Sequence, residues 1–344
     1  MVLGAFSTCE PHPFWDHSLV PQLHLNISSN GGDYLLETNA QGFRHPRDIQ
    51  NPKPPEVYRV FVLGDSFTEG LTPGPTVVDW IEKKLRRDYP GIHFEVINAG
   101  VSSQSLIPYI VRLRRQIFSF SPDLIIVNID NTDVTDDLRL LPAVEFDKTG
   151  TPVRVLQKLP RYHAMKAWVN GAQSQFLIEG GRYFLLSRLA WIIFFRLKDF
   201  EKENGIRYID PAEREILQDY TWIKKKKLTS DEKKLLLKWS ALTEILIRVC
   251  KEQKIPIFLD TYPHPDQFRP EGGRHLSEVL EKIAQEADVP YFDAYDAIKK
   301  NDNNIGALYL KEDIHFNESG NQKWGEALGE FVSRKASSLL SFRS

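Results

Sequence analysis

The feature that most constrains the fold is an alternation of two residue patterns along the chain. Val57 to Leu63 is a short run of β-branched and aromatic residues that stops at Gly64, as a buried strand ending in a loop does. Val77 to Tyr89 then places Val77, Ile81 and Leu85 on one face with charges opposite, the spacing of an amphipathic helix. The unit recurs with His93 to Asn98 as strand, roughly Pro108 to Phe120 as helix and Asp123 to Ile129 as strand. It returns near the carboxyl end with Ile255 to Asp260, a helix over His275 to Ala287, Val289 to Phe292 and a closing helix from Glu318 to about Leu340. Five such strands, each followed by a helix, predict an α/β three-layer sandwich with a central five-stranded parallel sheet covered on both faces.

Two regions stand outside the alternation. Residues 1–55 are rich in proline, asparagine and glycine and end in Asn51-Pro-Lys-Pro-Pro55, where fixed φ angles resist helix; they read as an irregular N-terminal arm. Residues 56–344 then form one domain with a partly helical insertion at about 138–230, in which aromatic and aliphatic side chains crowd between Tyr183 and Phe195. A helix from about Ser230 to Lys251 follows, and Thr229 with Glu232 has capping-box spacing.

Composition narrows the function classes. With 44 basic and 46 acidic side chains the net charge is −2, so nothing points to a nucleic-acid partner, and Lys224 to Lys227 read as a solvated approach to a helix. Two cysteines, Cys9 and Cys250, are too few for a disulfide framework or a four-ligand zinc cage, and the histidines form no metal-ligand pattern. No phosphate loop or dinucleotide fingerprint occurs, so neither a cofactor nor a metal is expected. The most apolar stretch, Tyr183 to Leu197, is broken by Arg188 and Arg196 where a membrane span needs about 20 mostly apolar residues. Met1 to Cys9 lacks the charged head and apolar run of a signal peptide, which leaves the compartment open between the cytoplasm and an exported location with its export or anchor segment missing.

Two segments carry chemistry. Gly64-Asp65-Ser66 falls at the carboxyl end of the first predicted strand, where open parallel sheets place their ligands and where a serine ahead of a helix has backbone N–H groups beside it. The plain alternative is a helix cap, and Thr68 where Gly-x-Ser-x-Gly needs its second glycine disfavours a standard α/β-hydrolase. The second segment, Asp313-Ile-His-Phe-Asn317, precedes the last helix. A serine hydroxyl needs a base within hydrogen-bond reach, and that base needs a third group to fix its tautomer. His315 would be the base, with Asp313 or Glu312 to orient it. Tyr262-Pro-His264-Pro-Asp266, after the fourth strand, reads as a rigid turn on the same sheet edge.

Together, Gly64-Asp-Ser-Phe-Thr-Glu-Gly70, Val96-Ile-Asn-Ala-Gly-Val101 and Asp313-x-His-x-Asn317 with Gly320 resemble, in order and spacing, the SGNH hydrolases, or GDSL-like esterases and lipases. The resemblance spans about 57–137 and 255–335. It implies a flavodoxin-like sheet and a metal-free, cofactor-free Ser-His-acid esterase that forms an acyl-enzyme, with Ser66 as nucleophile, His315 as general base and Asp313 as its orienting acid. Members with the acid three positions before the histidine would select Glu312 instead.

The chain departs from the family's pattern at the oxyanion hole. The second block's glycine is replaced by Ser103, whose backbone N–H can still donate beside that of Ser66. The third block's asparagine position is taken by Thr132, or by Asn131 if the loop shifts by one. The expected substrate is a small-molecule or carbohydrate carboxylic ester. Acyl transfer to a cell-envelope polysaccharide, or glycan binding by a catalytically weak site, are the alternatives.

Overall fold

The computed structural model describes residues 8–156, 221–300 and 304–340, and every structural statement below concerns them. The aromatic block at 183–195 and most of the predicted insertion lie outside this range.

The arm is not irregular throughout. Strands β1 (Cys9–His12) and β2 (Asp16–Leu19) pair antiparallel, as do β3 (His24–Ser29) and β4 (Gly32–Glu37). The second hairpin closes through Asn30-Gly31, because Ser29 pairs directly with Gly32. The positive φ that the reversal needs is taken by Gly32, at φ 112, where glycine carries no steric cost. Strand β4 alternates, with Tyr34 and Leu36 buried between exposed neighbours.

The domain proper is built on β5 (Val57–Leu63), β6 (His93–Asn98) and β7 (Leu124–Ile129), followed by a small hairpin of β8 (Val144–Phe146) and β9 (Pro152–Val155), and then by β10 (Ile257–Thr261) and β11 (Tyr291–Asp293). The central sheet runs β6-β5-β7-β10-β11 and all its pairs are parallel. The helices are α1 (Ser66–Glu69), α2 (Val77–Asp88), α3 (Leu106–Arg115), α4 (Asn131–Leu140), α5 (Ser230–Glu252), α6 (His275–Ala287), α7 (Tyr295–Lys299) and α8 (Glu318–Leu340). None is long and apolar enough to cross a membrane.

Every residue of β5 is buried, so its side chains feed two cores by simple alternation. Tyr58, Val60 and Val62 pack with Ile81 and Leu85 of α2 and with Trp324 and Leu328 of α8. Phe61 and Leu63 pack with Ile110 of α3, Trp239 and Leu246 of α5 and Leu280 of α6. The result is helix, sheet, helix. Truncating a leucine in either layer to alanine would cost about 2–5 kcal/mol.

The strand order fixes where a ligand belongs. From β5 the chain moves outward to β6 and then crosses back to β7 on the other side of β5, so the winding reverses between β5 and β7. A crevice opens at such a switch point, outside the carboxyl ends of the two strands. Ser66 follows β5 and Asn131 follows β7.

Candidate active site

The turn after β5 is held rigid before any ligand arrives. Asp65 caps α1, its Oδ1 accepting from the Phe67 N–H at 2.9 Å and from the Tyr262 hydroxyl at 2.8 Å. A Cβ on Gly64 would lie 2.0 Å from Thr68 Oγ1, so only glycine lets the helix fold back this tightly on its strand. Burial first, and then the nearby Asp130 carboxylate, push Asp65 up to about 7, against bonds from Phe67 and Tyr262 that favour its charged form. Ser66 is thereby the first residue of a helix whose register is fixed from below.

His315 reaches that hydroxyl from a loop far along the chain. The Ser66 Oγ to His315 Nε2 distance is 2.8 Å, and His315 Nδ1 lies 2.6 Å from Asp313 Oδ1. The loop is closed by a bridge between Tyr309 and Phe316, by the Leu310 N–H donating to the His315 carbonyl at 2.9 Å, and by Phe316 packed into the core against Tyr309 and Trp324. Asn317 then starts α8 by accepting from the Gly320 N–H at 3.1 Å. Asp313 Oδ1 also accepts from the N–H groups of Ile314 and His315. The bond from the His315 ring first of all, outweighing partial burial, holds the Asp313 carboxyl down at about 2. The ionised Asp313 accepts a hydrogen bond from the Nδ1–H, which leaves the Nε2 lone pair to accept from Ser66. Glu312, the alternative orienting acid, is exposed at φ 57 and it is Asp313 that bonds the ring.

The other predicted donors separate into two groups. The loop after β6 lies against the nucleophile turn: the Val101 N–H donates to the Gly64 carbonyl at 3.0 Å, and a Cβ on Gly100 would meet the Glu69 nitrogen at 2.4 Å. Buried Glu69 receives both the N–H and the hydroxyl of Ser102 at 2.6 Å each, and Ser103 follows, exposed, at φ 61.

After β7 the side chains bond to protein instead. The Thr132 hydroxyl and N–H both donate to Asp130 Oδ2, and Asn131, 2% exposed, donates its amide to Gln267 Oε1 at 3.1 Å. Thr132 therefore has no hydroxyl proton left for an oxyanion, and the Asn131 amide is turned toward Gln267. The physical reason is Asp130 itself. Burial acts to raise it, but His264, with Nε2 at 2.6 Å, and the bonds from Thr132 together draw its carboxyl below the ordinary value, so it is a charged acceptor. His264 is drawn upward by the same contact in spite of burial.

Sequence reasoning did not find Glu69 or the Asp130–His264 pair. His264 was visible only as part of a proline-flanked turn; its ring stacks on Phe67 at 5.8 Å, and Phe67 in turn lies 4.7 Å from His315. No group of three or more His, Cys, Asp or Glu side chains among the described residues is arranged to hold a metal ion.

No protein-family model matches the chain, and no curated protein matches it. Among solved structures, the acetylxylan esterase Axe2 from Geobacillus stearothermophilus is similar at 15% identity and a TM-score of 0.43, over 81% of this chain and 93% of that one. A lipase/acylhydrolase from Enterococcus faecalis is similar at 16% identity and a TM-score of 0.42, over 81% of this chain and 95% of that one. A two-domain esterase active on acetylated mannans shows 11% identity and a TM-score of 0.41, over 81% of this chain and 49% of that one.

Proposed function

We propose that the protein is a serine esterase of the SGNH type that hydrolyses a carboxylic ester through an acyl-enzyme. The observation that carries this reading is the continuous line of hydrogen bonds from Ser66 Oγ through His315 to an Asp313 carboxylate held at about 2. A helix cap would not need an imidazole within hydrogen-bond reach of the serine hydroxyl.

In the reaction, Ser66 Oγ attacks the ester carbonyl carbon while its proton passes to His315 Nε2. The tetrahedral oxyanion is held by the backbone N–H groups of Ser66 and Ser103. Its collapse breaks the bond to the alcohol oxygen, which takes the proton from His315, and leaves the acyl group on Ser66. Water then gives a proton to His315 and adds to the acyl carbon; the second collapse returns that proton to Ser66 and frees the acid. Asp313 remains ionised throughout and stabilises the imidazolium that forms twice.

The test is hydrolysis of p-nitrophenyl esters of increasing chain length and of acetylated xylo- and manno-oligosaccharides by the wild type and by Ser66→Ala. The variant is expected to lose on the order of 10⁶ in kcat. Undiminished turnover in Ser66→Ala would dispose of the proposal. Product ratios with and without added oligosaccharide separate hydrolysis from acyl transfer.

A further inference from the structure

The amino-terminal arm reaches the loop that carries Ser103. His17, at the second position of β2, is 1% exposed. Its Nδ1 lies 2.7 Å from Asp16 Oδ2 and its Nε2 lies 2.8 Å from the carbonyl oxygen of Ser102, 85 residues away. A carbonyl can only accept, so the Nε2 proton is donated to it. Asp16 sits at φ 75, a conformation uncommon for residues other than glycine. The contact is reinforced from the other side. Gln104 Nε2 donates to the His17 carbonyl at 2.6 Å, while buried Arg112 Nη1 donates to Gln104 Oε1 at 2.7 Å and to the Ala99 carbonyl at 2.8 Å.

The Ser102 carbonyl and the Ser103 N–H are the two ends of one peptide unit. That unit is planar, and in its trans form the C=O and the N–H point in opposite directions. A donor fixed on the carbonyl therefore fixes the direction of the N–H. It also draws electron density toward the oxygen and so makes the N–H a stronger donor, as hydrogen bonds do when they act in a chain. Glu69 holds the preceding N–H, that of Ser102, so the unit is restrained on both sides: by α1 on one and by the arm on the other.

We propose that His17 is a positioning residue for the oxyanion hole, setting the direction and donor strength of the Ser103 N–H by gripping the carbonyl of the same peptide unit. This rests on the esterase reading and deepens it. The arm becomes a working part of the site, because one of the two backbone donors is aimed from β2. The same arm approaches the nucleophile turn a second time, since Arg44 donates to the carbonyls of Glu69 and Gly70.

The test compares His17→Leu, which fills the volume without a donor, with His17→Gln, which keeps an N–H donor for the Ser102 carbonyl. Loss of a full oxyanion donor costs about 10²- to 10³-fold in kcat, so a misaimed one should cost about 10- to 100-fold. The expected result is that fall in kcat for His17→Leu with KM nearly unchanged, recovery of most of it in His17→Gln, and a displaced Ser103 amide proton resonance in ¹⁵N-labelled His17→Leu that returns toward its wild-type position in His17→Gln. Should His17→Leu fail to fold, Asp16→Ala, which leaves the imidazole unbraced, is expected to show a smaller kcat loss and a smaller shift of the same resonance. An active wild type whose folded variants keep kcat within about two-fold would overturn the proposal and leave the esterase reading intact. Equal losses in the Leu and Gln variants, with the Ser103 resonance unmoved, would reduce His17 to a structural role. A wild type that turns over no ester would remove the esterase reading first and this proposal with it.

Discussion

Two loops flank the switch point of the sheet, and they treat their polar side chains in opposite ways. After β5, the capping carboxylate of Asp65 is held from behind by Phe67 and Tyr262, and the next side chain, Ser66, is left to meet His315. After β7, the capping carboxylate of Asp130 is charged by its contact with His264 and takes the protons of Thr132 for itself. Both loops cap a helix, and both stand at the edge where ligands bind. What separates them is the last partner in each chain of bonds: in one it is a base that can receive a proton, in the other a charged carboxylate that only accepts hydrogen bonds. Position at a switch point admits chemistry; the hydrogen-bond inventory decides whether any is left to offer.

That contrast can be broken most severely through the base. Asp313→Asn leaves the shape of the loop and removes the charge that fixes the His315 tautomer, and a kcat loss on the order of 10⁴ is expected. Steady-state kinetics on a short p-nitrophenyl ester checks this, and a loss under about ten-fold would mean that the carboxylate only shapes the loop. On the other side of the comparison, Thr132→Val keeps the volume and deletes the hydroxyl. Because that proton is engaged by Asp130, kcat/KM should stay within about three-fold, whereas a fall of about 10²-fold or more would show that Thr132 turns to serve the oxyanion.

The smallest effect concerns the cap beneath Ser66. A carboxyl whose folded pKa is about 7 and whose unfolded pKa is near 4 binds its proton more tightly when folded. It therefore subtracts from stability as pH rises from about 4 to about 7, and the cost is complete above that window. Asp65→Asn keeps the acceptor for Phe67 and Tyr262 but carries no charge. Its Tm relative to wild type should rise between pH 4.5 and pH 8 by about 2 °C or more. A difference independent of pH would show that Asp65 is not the titrating group.

The parallel strands were legible because short β-branched and aromatic runs, broken by few polar residues such as Arg59 and Glu95, end in loops and alternate with helical spacing. Val57–Leu63 and His93–Asn98 form where the residue pattern places them, and His275–Ala287 is helical as its spacing predicts. Boundaries shifted where local chemistry intervened. α3 begins at Leu106, before Pro108, since a proline in the first turn removes an N–H that the helix would leave unpaired anyway. Ile255 is still tied to the end of α5, its N–H donating to the Cys250 carbonyl, so β10 starts two residues later. In the arm, proline and glycine content masked a hairpin that the Asn30-Gly31 pair announces.

The candidate site was legible to the extent that its residues sit in short local motifs. Ser66 and His315 are recognisable in their own segments, and only their meeting across 249 positions needed the structure. The resemblance favours Asp313 over Glu312, but the positive φ at Glu312 that turns the loop was not legible. Nor was the engagement of Thr132, which depends on a histidine 134 residues from its partner Asp130. His17 gave no local signal at all. Its role lies in one bond to a backbone carbonyl, and a carbonyl has no letter in the sequence.

The central claim is that the Ser66 hydroxyl is made nucleophilic by His315. The most direct measurement is reaction of the full chain with a fluorophosphonate, followed by the intact mass and by mapping of the modified peptide. The account predicts a single covalent adduct on Ser66 that is absent from Ser66→Ala and strongly slowed in Asp313→Asn. An unmodified wild-type chain, or an adduct on another residue that persists in Ser66→Ala, would contradict it.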